Sequence, residues 1–461
     1  MEPRQHRIGK LIFNLELDSE TVVKELQLIF PTTFENRLKE ELSSSFSQIP
    51  INNESIIIDR LELNLGVVTH GELYEALRKQ LTKALLNRIN GREKDGDRRN
   101  MTKISSSEYW SEVLIYFLQK GHYPWWAGQL TINELEDAVL KETATGNPYI
   151  LSKLKSTLAL TGTRYRLKIQ FSPRFNRQLI SNFYPKLAEF IFQTTGMISD
   201  IFIKNIATDK ETFSEWTDLV WLILIQTDDV NDFKERFSSQ LFSLICIENK
   251  LNPKHLLMQL PEPIKSVLTE NQNLRKVTTP AITIKNEEVE RDLQTKKEMV
   301  ITNSGLVIFW PYLKTLFENL KLLSGVNFIS QKHQEKALLF LQYLVTGYAK
   351  AEEHELQLNK ILTGWPLIQP VRKSIRLSKD EKAELNEFLM EMCKNWTVLK
   401  NTSIESLRET FLQRHGILRS GDRSYHLKVE RKGVDILRDN LPWPISTIKE
   451  PWMSEILYVE W

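Results

Sequence analysis

Apolar residues recur at three- and four-residue intervals along most of the chain, and their densest run begins two-thirds of the way along. It reads Asn303-Ser304-Gly305-Leu306-Val307-Ile308-Phe309-Trp310-Pro311-Tyr312-Leu313 and continues through Leu316, Phe317, Leu320, Leu322 and Leu323. From Leu313 the spacing predicts a helix that buries one broad face. Leu306 to Trp310 is apolar on every side, which predicts a segment buried all round. Pro311 suits an early turn of the helix that follows, where its missing N–H costs nothing. None of these side chains is a plausible catalyst, so the run reads as scaffold.

Towards the N-terminus, Leu11, Phe13, Leu15 and Leu17 alternate with polar residues, as in a half-buried strand. A helix follows with Val22, Val23, Leu26 and Ile29, and Pro31 ends it. Another opens at Thr32 or Thr33 and spaces Phe34, Leu38, Leu42 and Phe46 by four. Ile56 to Leu65 predicts a second strand. From about Gly71 to Ile89, Leu73, Leu77, Leu81 and Leu85 form one helical stripe, with Arg78, Lys79, Lys83 and Arg88 outside it. That basic set reads as a solvated face more readily than as a binding surface. These elements predict a small α/β unit with a following helix over residues 1–90. Residues 91–104, polar and glycine-bearing at their start, predict a linker.

Residues 105–268 predict a helical middle region. Its first helix carries Tyr109, Trp110, Val113, Phe117 and Leu118 and stops at Gly121. The corner His122-Tyr123-Pro124-Trp125-Trp126 then locks the helix end, or less readily grips a ligand. Further breaks are expected at Gly146-Asn147-Pro148, Gly162, Ser172-Pro173 and Pro261-Glu262-Pro263. Residues 269–300 have few large apolar side chains and predict a flexible linker. Residues 301–461 predict a C-terminal helical domain. Within it Ser378-Lys379-Asp380-Glu381 has the order of a capping box, and Ile417 to Val429 predicts a β-hairpin around Ser420-Gly421-Asp422-Arg423. The fold class expected is mainly α and multi-domain, with the α/β unit at one end and the hairpin-bearing domain at the other.

Composition narrows the class. Of 461 residues, 41% are hydrophobic and 26% charged, which is a globular balance, and the formal charge is +2. Near neutrality argues against a general attraction to nucleic acid or membrane. Cys246 and Cys393 are the two cysteines, far apart, so a reducing compartment is expected. The N-terminus has no signal-peptide core. The apolar run Leu219 to Ile225 is far shorter than the roughly 20 residues that span a bilayer. The expectation is a cytoplasmic product without a membrane span.

Candidate chemistry is sparse. His354-Glu355-Leu356-Gln357-Leu358 starts like a zinc-protease helix, but Leu358 replaces the second histidine, and one histidine cannot fix the metal. There is no phosphate loop of the Walker type, no dinucleotide fingerprint and no metal-spaced cysteine pair. No catalytic, cofactor or metal-binding residue is assigned. The best candidates for a partner contact are Trp452, Tyr458 and Trp461 in the aromatic tail after Pro451. A tail folded back on its own domain is an equal reading.

Several blocks carry a resemblance. They are Asn303 to Pro311, His354-Glu355-Leu356-Gln357-Leu358-Asn359-Lys360-Ile361-Leu362, Gly364-Trp365-Pro366-Leu367, Leu407 to Arg414, Leu441-Pro442-Trp443 and Pro451 to Trp461. In this order they resemble the tape measure family of contractile injection systems, the phage-tail-like particles of bacteria. Asp59 to Gly66 and the Gly121 to Trp126 corner are similar to that family too, and residues 130–300 match least. The resemblance implies a structural role in assembly, with inner-tube and baseplate proteins as partners and no catalytic residues. The expected location is the cytoplasm during assembly, with the injection particle itself as a further possibility. The favoured role is setting the length of the inner tube. An alternative is an assembly chaperone or adaptor that holds tube, baseplate or cargo proteins and sets no length. A hydrolase with an unrecognised site is a poor third reading, for want of a paired nucleophile and base.

Overall fold

The computed structural model describes residues 6–9, 11–12, 14, 35–47, 54–58, 60–67, 72–89, 101–105, 107–206, 212–249, 258, 265, 298–400, 402–421 and 423–461. The chain forms two compact units, residues 1–109 and 110–461. It is mainly helical, as the periodicity predicts.

In the first unit, helix α1 (Glu35–Ser47) is followed by strand β1 (Glu54–Ile58), helix α2 (Leu73–Ile89) and strand β2 (Met101–Ser105). The four-residue spacing works as expected: Leu38 and Leu42 of α1 bury against Leu77, Leu81 and Leu85 of α2. Leu61, Leu63 and Leu65 pack on the same cluster, but β1 ends at Ile58, so the strand is shorter than the alternation suggests. Its partner is β2, antiparallel with Glu54 opposite Ser105. β2 occupies the end of the stretch read as linker. Arg88, expected outside the apolar stripe, is buried and donates to the Arg60 carbonyl at 3.0 Å. The strand expected over Leu11 to Leu17 falls mostly outside the described residues. Leu11 and Ile12, which are described, are exposed and outside any strand.

The second unit opens with α3 (Tyr109–Lys120) and a short 3-10 turn (Trp125–Ala127). Then come α4 (Ile132–Thr143), α5 (Pro148–Leu158), α6 (Thr161–Gln170), α7 (Pro173–Phe183), α8 (Pro185–Ile206), α9 (Thr212–Gln226) and α10 (Val230–Asn249). The starts of α5 and α7 follow the sequence signals. Asn147 and Ser172 cap them through Tyr149 and Phe175, and Pro148 and Pro173 take the first turn. The break expected at Gly162 falls just before it, at Ala159 and Leu160, and Gly162 itself sits in the first turn of α6. Carboxylates from one helix cap the N-terminus of another: Glu142 accepts from Trp110 and Ser111, and Glu136 accepts from Ser172.

Residues 298–461 surround the apolar run. β3 (Glu298–Ile301) leads into a 3-10 helix (Ser304–Tyr312) that contains Pro311, and α11 (Leu313–Asn319) follows. Leu306 to Phe309 are fully buried, as the all-round apolarity predicts, while Trp310 is half-buried and donates to the Pro444 carbonyl. Regular α-helix starts only at Leu313, so Pro311 lies in the last turn of the 3-10 helix and not, as expected, in an early turn of the helix that follows; at the other end Gly305 comes against another backbone. A Cβ on Gly305 would lie 1.8 Å from the Phe411 carbonyl oxygen. The hairpin β4 (Leu323–Ser324) and β5 (Asn327–Phe328) precedes α12 (Gln331–Thr346), a 3-10 turn (Glu353–Leu356), α13 (Gln357–Thr363) and α14 (Lys379–Asn395). The Ser378/Glu381 capping box opens α14 as expected. α15 (Ile404–Leu407) runs into a π-helical turn (Arg408–Leu412).

A sheet closes this region. Its strands are β3, β6 (Gly416–Ser420), β7 (Ser424–Val429), β9 (Ile456–Glu460) and β8 (Thr447–Ile448), in that order across the sheet. β6 and β7 form the expected hairpin, while β9 runs parallel to β7. Met299, Ile301, Leu418, Leu427, Val429, Leu457 and Val459 face the helices in one hydrophobic cluster. Glu298, Met299 and Val300, expected in a linker, therefore belong to the sheet.

Candidate functional site

The aromatic tail is divided by its strand. On β9 alternate residues face opposite sides, so Leu457 and Val459 are buried while Tyr458 is 41% exposed and stacks on His426 at 5.1 Å. Trp461 is turned inward. Its indole donates to Asp435 at 3.1 Å, its carbonyl accepts from Arg438 at 2.6 Å and Arg431 at 3.2 Å, and the Arg414 guanidinium lies over its ring. Trp452 packs against Phe317 and Phe328 and donates to the Leu362 carbonyl at 2.9 Å. The three residues form no common patch, and only Tyr458 is presented to solvent. Around it the outer face of the sheet carries Glu298, Arg419, His426 and Thr447 in one row across the strands. Arg419 and Glu298 pair at 2.8 Å, and Lys428 and Glu460 pair at 3.0 Å in the adjoining row.

A buried ion cluster lies elsewhere, where α3, α4 and α6 meet residues 350–373. Glu353 follows Glu352, which starts a turn closed by a reciprocal bond with Glu355. Lys360 lies seven residues on, two helical turns along the same face. Arg166 and Gln170, one turn apart on α6, come from the other side. Arg166 Nε and Nη2 donate to Glu353 Oε2 and Oε1 at 2.8 and 3.1 Å, and Lys360 Nζ donates to Oε1 at 2.6 Å. All three side chains are essentially inaccessible to water, at 1%, 0% and 0%.

One carboxylate facing two cations leaves an excess positive charge in a dry place. Backbone carbonyls absorb it: Arg166 donates to Leu118 and Ile368, and Lys360 to Leu367 and Gln369 at 2.8 and 2.9 Å. Burial pulls the Lys360 ammonium down to about 8, Glu353 opposing it and Arg166 adding to it. Gln170 completes the set, accepting from the Glu353 amide at 3.3 Å and donating to Val371 at 2.7 Å. Gly121 fits here because it has no side chain. At φ +75° a Cβ would meet Glu353 Oε1 at 2.5 Å, and its carbonyl accepts from Gln357.

His354 and Tyr123 flank the cluster with ring centroids 4.7 Å apart. His354 is shifted down to about 4, first by burial and then by His122 and Lys373, with Glu353 opposing. Glu352 Oε2 lies 3.5 Å from its Nδ1, yet Nδ1, Tyr123 Oη and Gln357 Oε1 have no hydrogen-bond partner among the described residues. Glu352 itself caps α4 through the Ile132 amide at 3.1 Å, and burial raises its pKa. The cluster orders two segments against each other. A fully paired carboxylate, inaccessible to solvent, is placed for holding rather than for proton transfer to a substrate. Sequence reasoning missed the arrangement. The signal available was the face Glu353, Gln357 and Lys360 opposite Leu358, Ile361 and Leu362, which reads locally as a solvated face.

Among the described residues no group of three or more His, Cys, Asp or Glu is placed to hold a metal ion. No described helix is long and apolar enough to cross a membrane. No curated protein and no solved structure matches the chain. One family does, described as contractile injection system tape measure protein, and it matches residues 5–461, from the first described residues through the ion cluster to the last strand. The chain belongs to the contractile injection system tape measure protein family.

Proposed function

We propose that this chain acts without catalysis during assembly of a contractile injection particle and sets the length of its inner tube, in contact with inner-tube and baseplate proteins. The observation that carries the reading is the family match over residues 5–461. The segment that measures is taken to be residues 130–300, where the resemblance is weakest. Fully helical, its roughly 170 residues would span about 250 Å. To reach that length, helices α4 to α10 must leave their packed arrangement and trade contacts with one another for contacts with the tube wall.

A second reading is an adaptor or chaperone that sets no length. The Arg166–Glu353–Lys360 cluster favours it, because it holds residues 110–249 in one fixed register against residues 298–461, and an adaptor can keep that register throughout. Helical inserts of graded length between residues 269 and 297 separate the two. Under the ruler reading the mean tube length in electron micrographs grows with the insert. Tubes of unchanged length, made in normal yield, favour the adaptor.

A further inference from the structure

We infer that the junction between residues 110–249 and residues 298–461 is a parting line, along which the second unit opens into two bodies that stay folded. The hydrophobic interior points to it first. The cluster that fills the C-terminal region runs from Met299 to Trp461 and, among the described residues, includes no side chain from 110–249. The smaller cluster beside it, Leu338, Leu339, Ala351, Leu356, Trp365 and Val371, is also confined to the C-terminal region.

Tyr123 packs its ring on His354 across the junction and β3 approaches the Trp125–Ala127 turn, but most of the side-chain contacts that cross it are hydrogen bonds and ion pairs. Glu352 reaches the Ile132 amide, Glu353 reaches Arg166, Gln170 bonds to Glu353 and Val371, Gln357 reaches Gly121, and Arg166 reaches Ile368. An apolar joint of the same extent exposes sticky surface when it opens. A joint of buried charges behaves differently, since Arg166, Glu353 and Lys360 each regain hydration on parting, and that offsets much of the lost pairing. The closed state is specific in register and the open state is wettable. Such a joint suits a chain that has to change shape during assembly, and in that use the inference rests on the tape measure reading. The opening itself is a property of the free protein.

Two amide hydrogens report on it directly. Ile132 and Glu353 donate across the junction, whereas Ser304 donates to Arg414 inside the C-terminal region. Hydrogen exchange is measured on the full chain, resolved to single residues, in increasing urea below the unfolding transition. The expected result is that Ile132 and Glu353 exchange through an opening of their own, at least about tenfold faster than Ser304 and Leu427. A single isotherm shared by all four overturns the inference. In Glu353→Gln the same two amides should speed up by a further factor of about ten with Ser304 unchanged. Equal acceleration at every site would show that Glu353 supports the whole unit and would also overturn it. Neither readout involves the tube, so a failed insertion experiment and a failed parting line give different results.

Discussion

At the scale of single residues, ionisable groups whose pKa the fold shifts tie stability to pH. His354 is the sharpest case. Its folded-state pKa of about 4 lies below the ordinary 6.5, so the unfolded chain takes up the proton first as pH falls. Its contribution to stability is complete above about 6.5, declines as pH drops towards 4, and is absent below. The expected loss across that window is as much as about 3 kcal/mol. His354→Gln should remove that part of the slope. The check is the denaturant midpoint of variant and parent at pH 7, 5.5 and 4.5, and parallel curves would show that folding leaves the imidazole pKa unshifted. None of this was legible in the sequence, where His354-Glu355 reads as the start of a failed zinc motif. Nothing within ten residues of His354 announces Tyr123 or His122, which arrive from another helix end. The burial of Glu353 and Lys360 was equally hidden, because a polar helix face is read as solvated until its neighbour is known.

At the scale of elements, local signals served well wherever local chemistry sets the boundary. Ser378 with Glu381, Asn147 with Pro148, and Ser172 with Pro173 start helices where the sequence says they should. Strands were harder. Glu298–Ile301 has one alternation to show, and its place at the sheet edge is fixed by β6, more than a hundred residues away. The tail shows how one strand divides a run of aromatics. Trp461, buried and held by Asp435, should cost about 3–5 kcal/mol when replaced by alanine. Tyr458→Ala, on the open face, should stay within about 1 kcal/mol of the parent. Chemical denaturation of the two variants checks the difference. If Tyr458→Ala keeps its midpoint but lowers the yield of particles, the outer face of the sheet is a partner contact, and an unchanged yield removes it.

At the scale of the whole molecule, the reading of 269–300 as a boundary meets the ion cluster that joins the regions on either side. A protease site placed between residues 269 and 297 tests which matters more. After cleavage the two fragments should elute together at micromolar concentration, held by Arg166, Gln170, Glu352, Glu353 and Gln357. Elution as separate fragments would mean that covalent continuity alone keeps the junction closed. Mainly helical character, the globular class and the family were all legible, because each depends on many residues at once. The charged joint within unit two was not, since it rests on a few side chains remote in sequence, Arg166 and Glu353 lying 187 positions apart.

The order of strands in the sheet bears on how the chain is made. β9 lies between β7 and β8, so residues 456–460 occupy an interior position, and β8 has no other strand beside it. A ribosome delivers β3, β6 and β7 first, and the sheet can close only after β9 has emerged. Until then Leu427 and Val429 lack the strand that shields one flank, and β7 offers an unpaired edge. Pairings this remote in sequence are also slow to form. During synthesis the nascent C-terminal region therefore passes through an open-edged stage, when it is most exposed to association with other nascent copies.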